Sequence, residues 1–488
     1  MPLKLKLNNL QSFRKTREKL LAMKKITLKN TLLTGLIVLG AFSAAAQNLP
    51  KAFGRTVKAV NPENGAIRCA TNEYEAYLQQ QDPKRPTRAA FEAWLAPKIA
   101  EVKAKRMASK SAQEVQEVLI IPVVVHVIHN GDAVGSNENI PDGQVLAQIE
   151  VLNQDFRKQF GTPGYNTSPV GADLQIEFRL AHTAPNGSYT TGIDRVQLSQ
   201  ADWADETVID ANVKPSTSWN PNNYFNIWTV DFGATDLLGY AQFPNTSGLG
   251  GLDSYEGASN TDGLVIGYGY FGSKDIYPQG NYSTTYPQYT YGRTATHEIG
   301  HCFGLLHTSG DNFANCTVDA TDSFKDYCLD TPATKQYNFY CNTTNSCPAS
   351  PGNDMIENYM DYTNDACMNI FTQNQKDRVV AVMNNSIRRA SLKTSTTWQT
   401  PAAVADFGLF KNISLYPNPA TAVVNIAVQN GGLPESFTVY NSLGQLITEV
   451  KVTDERSLSI NTSGYSNGIY FIKLVKGSQG KTLKFIKE

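Results

Sequence analysis

Three of the six histidines in this 488-residue chain fall in one short stretch, His297-Glu298-Ile299-Gly300-His301-Cys302-Phe303-Gly304-Leu305-Leu306-His307. Residues four apart on a helix leave the same face, so His297 and His301 can share one ion. Glu298, next to the first ligand, can hold a water on that ion and take its proton. Gly304 falls where the helix must stop, because glycine accepts the left-handed conformation of a C-terminal cap. The chain can then turn and bring His307 in as third ligand, leaving a fourth position open. A bare HExxH is a weak signal. The longer spacing fixes five positions, and it predicts a zinc site with a catalytic base rather than a helix with surface histidines.

Hydrophobic residues make up 41% of the chain and aromatics 10%, enough for real cores, and the length suits two to four units. A net charge of −1 gives no reason to expect nucleic-acid binding. Of the seven cysteines, Cys69 stands alone and the other six lie between Cys302 and Cys367, a density that predicts disulfides and an oxidising compartment. The N-terminus agrees. A basic start at Met23-Lys24-Lys25, an apolar run from Leu32 to Phe42 and Ala44-Ala45-Ala46 read as a signal peptide over 1–46, with Met23 as an alternative start. That run is too short for a stable membrane span.

Residues 47–115 read as a pro-segment: charged, helix-patterned around Thr87 to Lys105, and ending in a basic stretch from Lys103 to Lys110 that suits proteolysis. Arg68-Cys69 lies within it. Two readings stand for Cys69, a thiolate that fills the open zinc position and keeps the enzyme latent, or a free thiol. Residues 116–392 read as the catalytic domain. Strands are expected at Leu119–Ile128, Leu174–Leu180, Phe225–Val230, Leu237–Phe243 and Gly263–Gly267. Val145, Ile149, Leu152 and Phe156 space an amphipathic helix over Asp142–Arg157, and the zinc helix is predicted over Arg293–Leu306. The mixture predicts an α/β domain around one twisted mixed sheet. His126, His129 and His182 read as structural. From Thr308 to Glu357 the chain is Asp-, Asn- and Cys-rich without periodicity, so it must be tied down. Asp326 and Asp330 there fit either a calcium site or a solvated acidic loop. A helix from Thr372 to Arg389 closes the domain. A polar linker over 393–411 precedes 412–488, where about seven short alternating runs between turn residues predict a small β-sandwich.

With Asn358-Tyr359-Met360-Asp361-Tyr362 added to the zinc helix, about 270 residues resemble the pappalysin family of metzincins, from Ile121-Pro-Val-Val-Val-His-Val to Asp365-Ala-Cys-Met-Asn-Ile-Phe-Thr372. The resemblance implies a secreted zinc endopeptidase made as a zymogen, with an irregular, disulfide-tied C-terminal subdomain. It implies that Met360 floors the metal and that the Tyr362 hydroxyl stabilises the tetrahedral intermediate. It places Asp365 in the primed-side pocket, which implies cleavage before Arg or Lys and makes the Lys103–Lys110 run a self-cleavage site. Among the cysteines it implies Cys341–Cys367 and Cys316–Cys347. Cys302 and Cys328 are additional here and are paired with each other without a motif behind the pairing. Arg68-Cys69 resembles the family's switch motif. Leu415-Tyr-Pro-Asn-Pro419, Tyr440-Asn-Ser-Leu-Gly444 and Gly468-Ile-Tyr-Phe-Ile-Lys473 resemble the sorting domain of the bacterial type IX secretion system, implying export through that machinery to the cell surface or medium. The rival reading is a secreted adhesion or binding protein with a structural zinc.

Overall fold

The computed structural model describes residues 49–109, 118–245, 258–311, 315–401, 413–428, 433–442, 444–476 and 479–488. The expected signal peptide and the boundaries near 115 and 411 lie outside them. The described chain divides into two units, one from the parts 1–181 and 191–398, the other from 182–190 and 399–488. The excursion at 182–190 therefore leaves the first unit, which the sequence pattern had not separated.

The first unit is built on a six-stranded sheet in the order Ile176–Leu180, Leu119–His129, Phe225–Val230, Leu264–Gly267, Gly239–Ala241, with Ile193–Gln197 beside the second half of Leu119–His129. Neighbours run parallel except Gly239–Ala241, which is antiparallel to Leu264–Gly267. The unbroken apolar run of the long strand reflects cover on both faces, and Ile121 to Ile128 are all buried. His126, inside it, is satisfied by Asp194 at 2.8 Å and Asn226 at 3.0 Å, a structural role. The helix Asp142–Phe156 brings Val145, Ile149, Leu152 and Phe156 into the core that also takes Ile299 and Cys302 of the zinc helix.

The zinc helix spans Arg293–Cys302, one turn shorter than predicted. Gly304 has φ +86°, and a Cβ there would lie 2.7 Å from Val382 Cγ2, so the chain must reverse at glycine. The closing helix is two pieces, Gln373–Asn385 and Ile387–Leu392. Ser386 breaks it in extended conformation, with its hydroxyl donating to the Asn245 carbonyl at 2.7 Å. The break turns Arg388 and Arg389 onto buried Asp262. Burial would raise that carboxyl, but Arg389 and Arg388 outweigh it and hold it down at about 2.

The N-terminal segment contributes two helices, Thr71–Gln81, which the sequence pattern did not announce, and Arg88–Ser109. The second sets Phe91, Trp94 and Leu95 against Ala381, Val382 and Phe243. Buried Arg378 donates to Glu92, and Arg106 donates to Asp377. The basic run is thus helical through Ser109 and docked, with Lys103 Nζ 2.6 Å from Asn374. Proteolysis within it requires the helix to open first.

Disulfides join Cys316 to Cys347 and Cys341 to Cys367 across the irregular region. The pairing of Cys302 with Cys328 is corrected: both are buried free thiols. Cys302 sits on the inward face of the zinc helix, its thiol 3.6 Å from the Gly263 carbonyl, whereas Cys328 is folded into the loop beside Asp326 and Thr331. The second unit has two antiparallel sheets. One has the order Ser459–Asn461, Val423–Val428, Ile413–Tyr416, the other Leu446–Lys451, Ser436–Asn441, Gly468–Lys476, Gln479–Lys487. Val424 and Ile426 of one sheet and Val439, Ile472 and Phe485 of the other share one core, the arrangement of a small sandwich. No helix of the described residues is long and apolar enough to cross a membrane.

Candidate metal centre and active site

Every residue of the zinc helix is buried, including His297, Glu298 and His301. Each imidazole is fixed by its Nδ1–H. His297 donates to the Tyr359 carbonyl at 2.7 Å, His301 to the Leu305 carbonyl at 2.9 Å and His307 to Asp311 Oδ1 at 2.7 Å. The tautomer follows: all three Nε2 atoms carry lone pairs, that of His307 also facing the Tyr362 hydroxyl at 3.0 Å. They face one another, 3.1 Å from His297 to His301 and 3.0 Å from His301 to His307. Three such lone pairs repel unless a cation lies between them. Their spacing is close to the edge of about 3.3 Å expected for nitrogens around a tetrahedral zinc at ~2.0–2.1 Å. With Cys69 Sγ the four donor atoms lie within 4.8 Å of one another, and among the described residues no other group of three or more His, Cys, Asp or Glu brings its donor atoms together as closely. The donor set fits zinc.

Burial, then the neighbouring imidazoles, push His297 and His301 well below the ordinary histidine range, which keeps them in the neutral, ligating form. Burial, then the adjacent Glu298, push the Cys69 thiol up. A dication at the site would act in the opposite sense and favour the thiolate. Glu298 is raised to about 7, chiefly by burial, against the lowering hydrogen bonds of Thr71 and Cys69. Its Oε2 accepts from the Thr71 hydroxyl at 2.8 Å, and its Oε1 has no partner among the described residues.

Met360 packs beneath the same helix. A Cβ on Gly300 would lie 2.4 Å from Met360 Sδ, which is why a glycine stands one residue before the second histidine. The Tyr362 hydroxyl is 3.0 Å from His307 Nε2, and its ring packs on Tyr337 at 4.3 Å. Asp365 divides its carboxylate. Oδ2 accepts from the backbone N–H groups of Tyr291 and Arg293 at 3.0 and 3.2 Å, holding the N-terminus of the zinc helix. Oδ1 accepts from Arg68 Nη2 at 2.9 Å, in a fully buried ion pair.

The N-terminal segment reaches these groups by extending the sheet edge. Ile67 donates to the Asp236 carbonyl and accepts from Leu238, Ala70 donates to Gly239, and Ala241 donates to the Thr71 hydroxyl. The fold thus gathers Cys69, His297, Glu298, His301, His307, Met360, Tyr362 and Asp365 in one place. Asp326 and Asp330 lie elsewhere. Asp326 accepts from Cys328 N–H and Thr331, and Asp330 accepts from Asn374 N–H at the start of the closing helix. Sequence reasoning missed Asp311, Thr71 and the partner of Arg68. Asp311 stands four residues after His307, a spacing that offered a signal; the other two contacts span 227 and 297 residues and offered none.

Comparison with known proteins agrees with this geometry. The family model described as pregnancy-associated plasma protein-A matches residues 208–384. An extracellular metalloprotease of Colletotrichum graminicola is 30% identical over 332 residues, covering 68% of this chain and 94% of that protein. The chain belongs to the pappalysin family of metalloproteases. Another pappalysin relative, an extracellular metalloprotease of Arthroderma otae, is 30% identical over 262 residues, 54% of this chain and 76% of that one. A solved promirolysin variant of Tannerella forsythia is 32% identical with TM-score 0.51, covering 67% of this chain and 96% of the other. This pappalysin is accordingly a zinc metalloendopeptidase made as a zymogen, which sets aside the adhesion protein with a structural zinc. Residues 414–488 match the secretion system C-terminal sorting domain, which marks the pappalysin for type IX export to the cell surface or extracellular space.

Asp311 is held well below the ordinary carboxylate range; burial opposes this, and His307, Arg88 and Tyr337 outweigh it. Its Oδ1 accepts the His307 Nδ1–H at 2.7 Å and so fixes the orientation of that ring. Asp311→Ala should weaken zinc binding roughly 10–100-fold in competition with a chelator. Unchanged affinity would remove that role.

Proposed function

We propose that His297, His301 and His307 hold the catalytic zinc, that Glu298 is the general base, and that the enzyme cuts peptide bonds before Arg or Lys. The supporting observation is the convergence of three imidazole Nε2 lone pairs beside a buried carboxylate. Zinc held there supplies Lewis acidity, which makes water nucleophilic near neutral pH and polarises a carbonyl. Glu298 accepts the proton as water attacks the scissile carbonyl and returns it to the leaving amine. Tyr362 donates to the developing oxyanion, and Met360 keeps the floor of the site apolar and rigid. Asp365 presents one free oxygen to a basic side chain, because the other is committed to the zinc helix. In the processed protein Glu298→Gln should retain zinc by metal analysis and lose about 1,000-fold in kcat/KM on a peptide. Equal turnover would discard the assigned base.

Residues 47–115 act as the pro-segment in this reading. Cys69 supplies a fourth ligand and Thr71 occupies Glu298, so metal and base are blocked together. Cys69→Ala in the full chain should mature faster than the parent in a processing time course. Equal rates would remove the switch.

We also read the loop around Asp326 and Asp330 as a calcium site. Asp322 Oδ1, Asp326 Oδ2 and Asp330 Oδ1 are buried without partners among the described residues. Burial raises Asp322 to about 6 and Asp326 well up, so a cation would relieve both. Calcium should raise Tm where magnesium does not. A Tm indifferent to calcium would leave an acidic loop.

A further inference from the structure

We propose that the processed enzyme carries a tyrosine subsite, built from Asp210, Lys214, Tyr240 and Gln242, that takes a substrate tyrosine on the N-terminal side of the scissile bond. The inference rests on the reading of the imidazole cluster as the place where peptide is cut, with Asp365 on the primed side.

Tyr74 of the pro-segment shows what the slot holds. Its hydroxyl lies 2.7 and 2.8 Å from the two oxygens of Asp210 and donates to that carboxylate. The same hydroxyl accepts from Lys214 Nζ at 3.1 Å, and Gln242 Oε1 stands 3.3 Å away. Lys214 in turn pairs with Asp210 Oδ1 at 2.7 Å and is fully buried over the rings of Tyr74 and Tyr240. Those two rings meet edge-on, with centroids 4.9 Å apart. A phenol satisfies the acceptor and the donor with one oxygen, which a phenyl ring cannot do. A carboxylate would face Asp210 and an ammonium would face Lys214, so the paired charges admit a neutral group.

Every group around the hydroxyl belongs to the catalytic domain, so the slot remains when the segment leaves. Asp210 and Lys214 stand four residues apart on a continuous helical stretch, Ile209–Val213 followed by Lys214–Thr217. Gln242 is fixed by the Thr261 hydroxyl, which donates to its Oε1 at 2.7 Å. The Tyr240 hydroxyl is buried without a partner among the described residues, so the slot holds a polar atom that Tyr74 leaves unused.

The slot also lies within reach of a bound peptide. Gly239 faces the zinc helix, since a Cβ there would lie 3.3 Å from Thr294 Cγ2, and Tyr240 therefore faces the other side of the strand. The pro-segment passes Asp365 with Arg68, the imidazoles with Cys69 and Glu298 with Thr71 before Tyr74 enters the slot. That order sets the slot across the metal from the primed pocket, beside the chain that precedes the cut bond. Alternate side chains of an extended peptide point away from the zinc helix, towards Tyr240.

The test uses the processed enzyme and peptides with a fixed Arg and with Tyr, Phe or O-methyltyrosine at each upstream position in turn. At one position Tyr should raise kcat/KM about tenfold over Phe, chiefly through KM, and O-methyltyrosine, which cannot donate, should behave as Phe. Equal values for Tyr and Phe at every position, or an advantage that O-methyltyrosine keeps in full, overturn the inference. Asp210→Asn should bring the Tyr:Phe ratio close to one, and a ratio still at the parent's value overturns the assignment to this slot. The peptide series needs no variant, so it decides even where Asp210→Asn fails to fold. The cut bond is identified by mass, and the ratio is read at that bond. Cleavage away from the Arg would tell against the Asp365 pocket and leave the tyrosine comparison intact.

Discussion

Three imidazole lone pairs aimed at one point are unstable without a positive charge between them, and most of this fold is arranged to force that aim. The Tyr359 carbonyl, the Leu305 carbonyl and Asp311 each take an Nδ1–H, so no ring can turn away or change tautomer without breaking a hydrogen bond that is buried for His297 and His301 and part-buried for His307. The turn at Gly304, the loop after His307 and the Met360 loop supply these partners from Leu305, Asp311 and Tyr359. Binding a cation is therefore coupled to the whole middle of the molecule, not to a loop that could fold around it later.

Asp365 extends the same economy to recognition. One carboxylate oxygen holds the N-terminus of the zinc helix and the other faces a guanidinium. The carboxylate that pairs with Arg68 is thus rigid because it also holds the helix that carries His297 and His301. The N-terminal segment touches this machinery at consecutive points: Arg68 at Asp365, Cys69 beside the imidazoles, Thr71 at Glu298. It sets these three side chains beside three buried groups by running along the sheet edge at Leu237–Ala241.

Much of this was legible in the sequence, and what was not has a common cause. The histidine spacing, Gly304 as the stop, the buried strand at Leu119 and the alternating runs of the tail all depend on neighbours within a few residues. Local pattern suffices for those. Phe303, Leu305 and Leu306 continue the apolar helical pattern past the end of the zinc helix, but the backbone reverses at a glycine pressed against Val382. Ser386 breaks the closing helix for a tertiary hydrogen bond to the Asn245 carbonyl, which no helical period records. Thr71–Gln81 is short and polar in sequence, and Ala70 at its N-cap offers no side-chain hydrogen bond. Cys302 misled by count: a cysteine inside the core is a small hydrophobe, and its position on the inward helix face decides its fate before any pairing can.

The same contrast explains why the N-terminal segment can both stabilise and be removed. Its apolar face joins the core that holds Trp228, Phe232 and Tyr240, with Phe53 and Tyr74 packed on Tyr240 at 4.9 Å each. Tyr74 also donates to Asp210, which pairs with the fully buried Lys214. A segment that only plugged the metal would need neither contact. By covering apolar rings and a buried ion pair as well as the site, it spreads its hold over a wide area, and each contact can remain modest. The helix Arg88–Ser109 is the outer clamp, held by Glu92 on Arg378 and by Arg106 on Asp377. Cutting the chain beyond Ser109 leaves all of these contacts formed, because none of them runs through the backbone that is cut.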